Sequence, residues 1–342
     1  MFTILITGGA GFIGSNLVTY LYKKYPEYKI IVLDALTYAA SVNNLPENSF
    51  NSERFEFWYG NVLNAEVVDS LVCRSDIVLH FAAESHVTRS IYDNRHFFET
   101  DVIGTQVVAN SVLRYRDRIE LFVHISTSEV YGTAMSKVMD ENHPLNPTSP
   151  YAAAKCGADR LVYSYWQTYR IPAVIVRPFN NFGPHQHLEK VVPRFITSCI
   201  LGEPLTVHGD GSAQRDFLFV QDHCEALDRL IHLERERVIG EIFNLGTGRH
   251  ISVYEIAKAV RGVMHNSNSQ IEFRGERPGQ VFRHTCDASK AIATLDWKPS
   301  TAFEDGLRQT ISWYLANQEW WDSQKWMRHI PIINAQGKRE LH

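Results

Sequence analysis

A cluster of hydroxyl groups around one carboxylate lies in the first half of the sequence. Residues 125–132 read ISTSEVYG, and they follow the apolar run LFVH, which is typical of the end of a buried strand. Thr127, Ser128 and Glu129 therefore lie where open α/β sheets bind ligands, outside the carboxyl ends of the strands. A carboxylate there can act as a general base beside hydroxyls that position a substrate. The alternative is that Glu129 is an ordinary surface charge.

A tyrosine and a lysine follow at a spacing that suits base catalysis. In the stretch YAAAK, Tyr151 and Lys155 are four residues apart, so both side chains lie on one face of a helix. A neighbouring ammonium group favours the phenolate and lowers the pKa of the phenol, which makes tyrosine a usable base near neutral pH. YxxxK alone is common on solvated helix faces, so its value comes from the strand end that precedes it.

The N-terminal residues predict a dinucleotide-binding site. In TGGAGFIGSN, Gly8, Gly11 and Gly14 follow an apolar strand and open a helical pattern. Glycine lets the backbone approach a pyrophosphate, and the N-terminus of a helix offers free N–H groups and a positive dipole. Asp34 ends the next strand, twenty residues after Gly14, where a carboxylate accepts the ribose hydroxyls. An acid with no adjacent arginine favours NAD over NADP.

The elements that must position these residues alternate along the first half of the chain. Apolar, β-branched runs at 3–7, 29–34, 55–60, 77–82, 121–127 and 173–179 predict strands, and 12–21, 65–72, 97–113 and 152–169 predict helices. This order predicts an α/β fold, a Rossmann-type doubly wound parallel sheet. Short strands at 205–208, 241–245 and 271–274, with helices near 253–263 and 301–317, predict a smaller C-terminal α/β substrate-binding lobe. We assign 1–180 to an NAD-binding domain, to which segments at about 210–250 return, and 181–330 to the interleaved smaller domain.

Composition argues against several classes of protein. The 342 residues carry a formal charge of −4 without a basic stripe, so we expect no nucleic-acid partner. No run approaches the ~20 apolar residues of a membrane span, and the N-terminus lacks the basic region of a signal peptide. Five scattered cysteines predict a reducing cytoplasm, and neither they nor the dispersed histidines show metal-ligand spacing.

Taken together, TGGAGFIG, ISTSEVYG and YAAAK resemble the extended short-chain dehydrogenase/reductases that act on nucleotide sugars. The likeness spans nearly the whole chain and is greatest to 4,6-dehydratases of the dTDP-glucose type. Stretches that carry this finer likeness are LTYAAS, AAESHVTRSI, FNNFGPHQHLEKVVP, GDGSAQRDFLFVQDH, ERPGQ and WYLANQEWW.

The resemblance implies a redox-neutral lyase that holds NAD throughout. Tyr151 takes the proton of the sugar 4-hydroxyl while hydride passes to NAD, Lys155 lowers the tyrosine pKa and binds ribose, and Thr127 bonds the same hydroxyl. The new 4-ketone acidifies the 5-hydrogen, which Glu129 removes. Water leaves from the 6-position and hydride returns there, so the product is a 4-keto-6-deoxy nucleotide sugar.

The resemblance also implies binding residues and a partner. Besides Tyr151 and Lys155, those for the cofactor are Gly8, Gly11, Phe12, Ile13, Gly14, Asp34, Asn61, Val62, Ala82 and Ala83. Those for the nucleotide-diphosphate sugar are Ser85, His86, Asn180, Asn181, Glu189, Lys190, Val191, Arg215, Asn244, Arg277 and Arg283. Arg215 suits a diphosphate because its fork donates two hydrogen bonds; the alternative is a surface ion pair with Asp216. Family members pair the two helices 97–113 and 152–169 into a dimeric four-helix bundle, so we expect a homodimer.

Ser128 departs from the dTDP-glucose pattern, in which an aspartate at this place protonates the departing hydroxyl. A serine hydroxyl has no accessible pKa and does not supply that proton efficiently. GDP-mannose 4,6-dehydratases and UDP-glucuronate decarboxylases both carry Ser-Glu, so either reaction fits. A 4-epimerase needs only Tyr151, Lys155 and NAD, and a non-catalytic NAD-binding regulator is a further alternative. Asn61, Thr88 and Val281-Phe282 depart as well. The last of these changes falls near the expected nucleotide-base pocket, so the nucleotide base is left open.

Overall fold

The computed structural model describes residues 2–265, 268–275, 281–333 and 338–341. The strands are β1 (Thr3–Thr7), β2 (Lys29–Asp34), β3 (Phe55–Tyr59), β4 (Ile77–His80), β5 (Leu121–Ile125), β6 (Ala173–Pro178), β7 (Asn180–Phe182), β8 (Leu205–His208), β9 (Gln214–Phe219), β10 (Ile242–Leu245), β11 (His250–Ser252), β12 (Ile271–Arg274), β13 (Pro331–Ile333) and β14 (Arg339–Leu341). The helices are α1 (Phe12–Lys24), α2 (Ala65–Val72), α3 (Val87–Tyr92), α4 (Arg95–Phe97), α5 (Thr105–Arg114), α6 (Pro150–Tyr169), α7 (Val191–Leu201), α8 (Val220–His232), α9 (Val253–Val263), α10 (Ser289–Leu295), α11 (Phe303–Ala316) and α12 (Gln318–Asp322).

Seven strands form one parallel sheet in the order β10-β6-β5-β4-β1-β2-β3. The chain order reverses between β1 and β4, which is the point where a doubly wound sheet opens a crevice for ligands. The predicted Rossmann-type fold is therefore confirmed, and the strand ends that carry the candidate residues lie along one edge of the sheet.

Both faces of this sheet are covered by helices, which explains why its inner strands are largely apolar and buried. All five residues of β1 are buried. Ile4 and Ile6 pack into a core with α1 and α8, whereas Leu5 packs into the opposite core with α2 and α5. The twofold periodicity of a strand thus places successive residues on opposite faces of the sheet.

The smaller lobe has its own core. Strands β11, β9 and β7 form one sheet, β12 and β8 form another, and α7, α9 and α11 pack against them. Phe182, Phe195, Tyr314 and Trp321 are among its fully buried side chains. Residues 220–245 return to the large sheet, because α8 packs on α1 and β10 pairs with β6. None of the described helices is both long and apolar enough to cross a membrane.

The helix expected at 97–113 differs most from its prediction. The chain forms α4, then a π-helical segment (Phe98–Gly104), then α5. A Cβ at Gly104 would lie 2.7 Å from Cγ2 of Val62, so this wide turn packs close to the segment after β3. Period-3.6 patterns do not reveal a π turn, because it displaces every later side chain around the axis. Helices α7 and α8 and strand β9 were also missed.

Candidate active site

The backbone of the glycine loop after β1 packs closely against the start of α1 and against the segment that follows β4. Gly8 follows β1 with φ of +70°, and a Cβ there would lie 2.5 Å from the amide nitrogen of Ala82. A Cβ on Gly14 would lie 2.4 Å from the carbonyl oxygen of Gly8. Only glycine allows this packing, which leaves the N-terminus of α1 open at the edge of the sheet. Such a cradle fits the pyrophosphate of a dinucleotide.

Asp34 ends β2 beside this loop and reaches the same cavity. Its carboxylate accepts hydrogen bonds from the amides of Ala10 and Leu36, each at 2.8 Å. Burial raises its pKa, and these two bonds oppose the shift. A carboxylate held in this way suits ribose hydroxyls. The other residues predicted to contact the cofactor line the cavity as well: Phe12, Ile13, Asn61, Val62, Ala82 and Ala83.

The strand that leads to the hydroxyl-rich stretch ends earlier than predicted, at Ile125. Thr127 caps a 3₁₀ turn at Ser128–Tyr131, and its Oγ1 accepts a hydrogen bond of 3.2 Å from the amide of Glu129. The turn directs successive side chains apart. Thr127 and Glu129 line the cavity of about 430 Å³, and Ser128 does not.

The two residues of the YAAAK pattern are buried in the same cavity. Ser149 caps α6, so Tyr151 and Lys155 fall on its first two turns. The Lys155 Nζ donates a 2.8 Å hydrogen bond to the carbonyl oxygen of Ile125, which ties α6 to the end of β5. The predicted Tyr–Lys juxtaposition therefore exists at the cavity wall.

The expected lowering of the tyrosine pKa is contradicted. Burial, with the nearby Asp101 and Glu129 carboxyls, raises the pKa of Tyr151, and only a hydrogen bond with Thr127 opposes the shift. Burial also lowers the pKa of Lys155. The spacing of Tyr151 and Lys155 reveals the neighbouring ammonium group, but not the cost of removing both groups from water.

Asp101 is a buried carboxyl behind this pair that the sequence argument missed. It lies on the π-helical segment, and its Oδ1 accepts a 2.8 Å hydrogen bond from the amide of Glu84. Burial raises its pKa to about 8, against the opposing charge of Lys155. The sequence contained one signal for this residue, because Asp101 is an acid at a position of an amphipathic helical pattern that faces the interior.

Glu189 is the centre of an ionic cluster on the substrate side of the cavity. Its fully buried carboxylate accepts hydrogen bonds from Arg89 Nε at 3.0 Å and Tyr38 OH at 3.1 Å, and pairs with His187 Nε2 at 2.9 Å. Burial alone would raise its pKa, but His187 and His86 outweigh burial and hold the pKa well below its ordinary value. Other predicted substrate residues at the cavity are Ser85, His86, Asn180, Asn181, Lys190, Val191 and Arg215.

Two arginines make part of the cavity wall cationic. Arg215 lies on β9, and the ion pair with Asp216 is not formed, because the Asp216 carboxylate accepts from the amides of Thr247 and Gly248. Arg194 on α7 was missed. It is buried, its Nε and Nη1 have no hydrogen-bond partner among the described residues, and burial lowers its pKa to about 10. Two guanidinium groups beside a cavity suit an anionic substrate.

Three predicted residues do not reach the cavity. Ser128 is buried against His284. The Asn244 amide accepts from Tyr131 OH and donates to the carbonyl of Met139, so the packing of β10 uses it fully. Arg283 donates to the carbonyl of Ser136 instead. Arg277 lies outside the described residues.

Fold and site together define a dinucleotide-binding α/β protein with a Tyr–Lys pair and a carboxylate at one cavity. Residues 5–310 match the family model described as GDP-mannose 4,6 dehydratase, and the chain belongs to this family. It is 43% identical over 316 residues to the low-salt glycan biosynthesis protein Agl12 of Haloferax volcanii, which covers 92% of this chain and 99% of the relative.

Two further relatives carry the name of an enzyme. A dTDP-glucose 4,6-dehydratase from Actinoplanes is 39% identical over 323 residues, with 93% of this chain and 99% of the relative covered. The dTDP-glucose 4,6-dehydratase of Streptomyces venezuelae, solved with NAD bound, superposes with a TM-score of 0.89 at 36% identity, covering 94% of this chain and all of that one.

Proposed function

We propose that the protein is an NAD-dependent nucleotide-sugar 4,6-dehydratase, a lyase that converts an NDP-hexose into an NDP-4-keto-6-deoxyhexose. The observation that carries this proposal is the place of Glu129, at one cavity with Thr127, Tyr151 and Lys155. Oxidation and reduction at the 4-position need only the hydroxyl-bearing residues and the lysine. A carboxylate beside them suits a reaction in which a carbon-bound hydrogen is removed as well.

The residues at the cofactor end fit NAD. The cradle at Gly8, Gly11 and Gly14 suits the pyrophosphate, and Asp34 suits the adenosine ribose. When bound, NAD takes up a hydride and returns it later in the same turnover, so the reaction needs no outside reductant. Relatives in the same family that are named as 4,6-dehydratases support this assignment.

The chain's own residues divide the proton transfers. Because burial raises its pKa, Tyr151 must first ionise, and as a phenolate it accepts the proton of the 4-hydroxyl. Thr127 bonds both the phenol and the substrate hydroxyl. The 4-ketone then makes the 5-hydrogen acidic, and Glu129 removes it. Glu129 afterwards protonates the 6-hydroxyl as it departs, because Ser128 lies outside the cavity. Arg194 and Arg215 hold the diphosphate.

A UDP-glucuronate decarboxylase is the second candidate. Position 128 holds a serine and not a second acid, and this favours a decarboxylase. A β-keto acid loses carbon dioxide without an acid that protonates a leaving group. Arg194 supplies a cation that a substrate carboxylate needs. Its guanidinium group serves a diphosphate equally well, and the relatives named as 4,6-dehydratases favour the dehydratase.

The test is incubation of the NAD-loaded protein with UDP-, dTDP- and GDP-hexoses and with UDP-glucuronate, followed by mass spectrometry. Loss of one water from a hexose supports the proposal, and Tyr151→Phe is the control that should abolish it. Loss of carbon dioxide from glucuronate, or a new epimer of unchanged mass, contradicts it. Bound NAD without turnover of any sugar would indicate a regulator.

We further propose that the protein works as a cytoplasmic homodimer in deoxysugar biosynthesis. The π-helical segment before α5 exposes Phe98 and Ile103 by 43% and 47%, and this segment packs beside α6. Two copies of these helices would bury such side chains in a four-helix bundle. No disulfide joins any two of the five cysteines, all of which are described, and this suits a reducing compartment.

A further inference from the structure

His284 lies behind the catalytic carboxylate and contacts both residues of the Ser-Glu pair. Its ring is fully buried, and its Nδ1 is 3.4 Å from Ser128 Oγ and 3.8 Å from Glu129 Oε1. No sequence motif assigned a function to His284. More than 150 residues separate it from Ser128 and Glu129, and only the fold brings the three together.

The hydrogen-bond pattern determines which ring nitrogen carries the hydrogen. Nε2 of His284 is 2.6 Å from the carbonyl oxygen of Gly132. A carbonyl can only accept, so Nε2 must donate, and the neutral ring then presents a lone pair at Nδ1. The hydroxyl of Ser128 donates to this lone pair. An ionised Glu129 cannot donate to it, whereas a protonated Glu129 can.

Burial favours the neutral form of this histidine. It lowers the pKa of His284, and Arg215 and His143 act in the same direction, while Glu129 and the Gly132 carbonyl oppose them. The remaining ring contact is with Phe179, at 6.1 Å between ring centres, and it is uncharged. The charged and titratable groups facing the ring thus come from the 3₁₀ turn, from β9 and from the loop that holds His143.

We propose that His284 is a positioning residue that acts through Glu129 and favours the protonated form of its carboxyl. The inference rests on the proposed dehydratase function and assigns a residue to its elimination step. The C5–H bond of the 4-keto sugar breaks, its proton passes to Glu129, and the new carboxyl O–H donates to Nδ1. The electron pair forms the C5–C6 double bond, the C6–O bond breaks, and the Glu129 proton leaves with the hydroxyl as water.

The arrangement also explains why serine occupies position 128. While Glu129 is ionised, Nδ1 needs a donor, and the Ser128 hydroxyl is one. Once Glu129 has taken the proton, its own O–H competes for the same lone pair. An aspartate at this position would instead favour a charged imidazolium, and a cation 3.8 Å away would make Glu129 a weaker base.

The experiment compares His284→Phe with His143→Phe in the NAD-loaded protein. His143 is a buried histidine of the neighbouring loop, but its nitrogens face the amide of Met135 and the carbonyl of Pro144. Three steps are measured on the sugar that the wild type dehydrates: NADH absorbance in a single turnover, uptake of solvent deuterium at the 5-position, and water loss.

For His284→Phe we expect an unchanged KM and unchanged NADH formation. The rates of deuterium uptake and water loss should fall about 10- to 100-fold, which is the effect on a rate of losing one hydrogen bond to an ionisable group. In the wild type both later steps should decline towards acid pH, because an imidazolium favours ionised Glu129. His284→Phe should lose that part of the profile, and His143→Phe should keep it at a slightly higher pH, because His143 lowers the pKa of His284.

Wild-type rates and pH profile in His284→Phe would overturn the inference, as would equal loss of all three steps in both variants. If His284→Phe does not fold, the smaller His284→Asn replaces it, with the same expected and contrary results. Failure of the proposed function is a separate outcome, because the wild type itself would then release no water.

Discussion

Adjacent residues at the end of β5 point in different directions, and this divides their functions. Glu129 faces the cavity, while Ser128 is buried against His284. The proposed chemistry at this site therefore rests on Glu129 and Tyr151 and on the groups packed against them.

Glu129→Gln should separate oxidation from elimination. The amide keeps the shape of the side chain and cannot accept the 5-hydrogen, so NADH should still form and water loss should fall by about 10²- to 10⁴-fold. Single-turnover absorbance and product mass spectrometry measure the two steps. Full turnover by the variant would show that another group is the base.

Asp101→Asn should change the pH dependence of the oxidation step. Asp101 ionises near pH 8, and its charge then raises the pKa of Tyr151. The neutral amide removes this effect, so the pH–rate profile for NADH formation should shift to lower pH. An unchanged profile would mean that Asp101 does not influence the phenol.

The same variant should change stability with pH in a defined direction. In the unfolded chain Asp101 ionises near pH 4, but in the folded protein its raised pKa delays ionisation to about pH 8. Rising pH between these values therefore favours the unfolded state of the wild type. Urea unfolding should show Asp101→Asn gaining stability relative to the wild type from pH 5 to pH 8.

At the scale of elements, a buried ion pair places α6 against the sheet. Arg177 on β6 donates to the Asp159 carboxylate of α6 at 2.8 Å and 2.9 Å, and both side chains are almost fully buried. Arg177 also donates to Tyr131 OH in the 3₁₀ turn. This network fixes the helix that carries Tyr151 and Lys155 relative to the turn that carries Thr127 and Glu129.

Arg177→Leu should destabilise the fold by about 3–5 kcal/mol, since it leaves a buried carboxylate without its main partner. Burial would raise the pKa of Asp159, but the hydrogen bonds and charges of the arginines outweigh burial and lower it. The ion pair therefore stabilises the fold at pH values above the pKa of Asp159 in the unfolded chain. This stabilisation is lost as the pH falls towards the lower pKa of the folded state. Arg160→Leu is the control, because this partly exposed partner should contribute less than about 1 kcal/mol. Equal losses in urea unfolding would contradict the network.

The glycine loop gives a second prediction at this scale. In Gly14→Ala the new Cβ meets the backbone of Gly8 and Gly9 at 2.4 Å and 2.9 Å, so α1 must move away from β1. The affinity for NAD should fall at least ~10-fold, because a loss of about 1.4 kcal/mol in binding free energy already lowers an affinity tenfold. Calorimetric titration measures it. Gly262→Ala on α9 meets nothing within 4 Å and should leave binding unchanged while stabilising its helix.

At the scale of the whole molecule, the end of the chain supports its beginning. Trp320 on α12 donates to Asn44 at 2.7 Å, and Asn44 donates to the carbonyl of Ala10 in the glycine loop at 2.8 Å. Asn16 on α1 donates to the carbonyl of Pro184, which follows β7. The cofactor end of the cavity therefore depends on contacts from both lobes.

The proposed dimer is tested at this scale. Ile103→Glu places a charge on the exposed face of the π-helical segment, so light scattering should report a monomer in place of a dimer. Ile292→Glu, at an equally exposed isoleucine of α10, is the control and should remain dimeric. A monomeric wild type, or a dimer in both variants, would contradict the proposed bundle.

Much of the architecture follows from local pattern. The alternation of apolar strands with helices predicts the parallel sheet, and Gly8, Gly14 and Asp34 mark the cofactor end, because backbone freedom and strand periodicity depend on few neighbouring residues. The predicted ends of β5 and of the helix after residue 97 were inaccurate, since hydrogen bonds with distant segments determine where a strand or a regular helix ends.

Tertiary structure decided which groups share the cavity and what charge they carry. Arg194 reaches it and Asn244 does not, and Asp101 and His284 come close to Lys155 and Glu129 from distant parts of the sequence. The pKa of Tyr151 rises although a lysine lies one turn away, because burial and the nearby carboxyls outweigh the hydrogen bond with Thr127. Residue type and spacing identified the acids and bases of this protein. The desolvation of these groups and the directions of their side chains, which only folding creates, determine how they act.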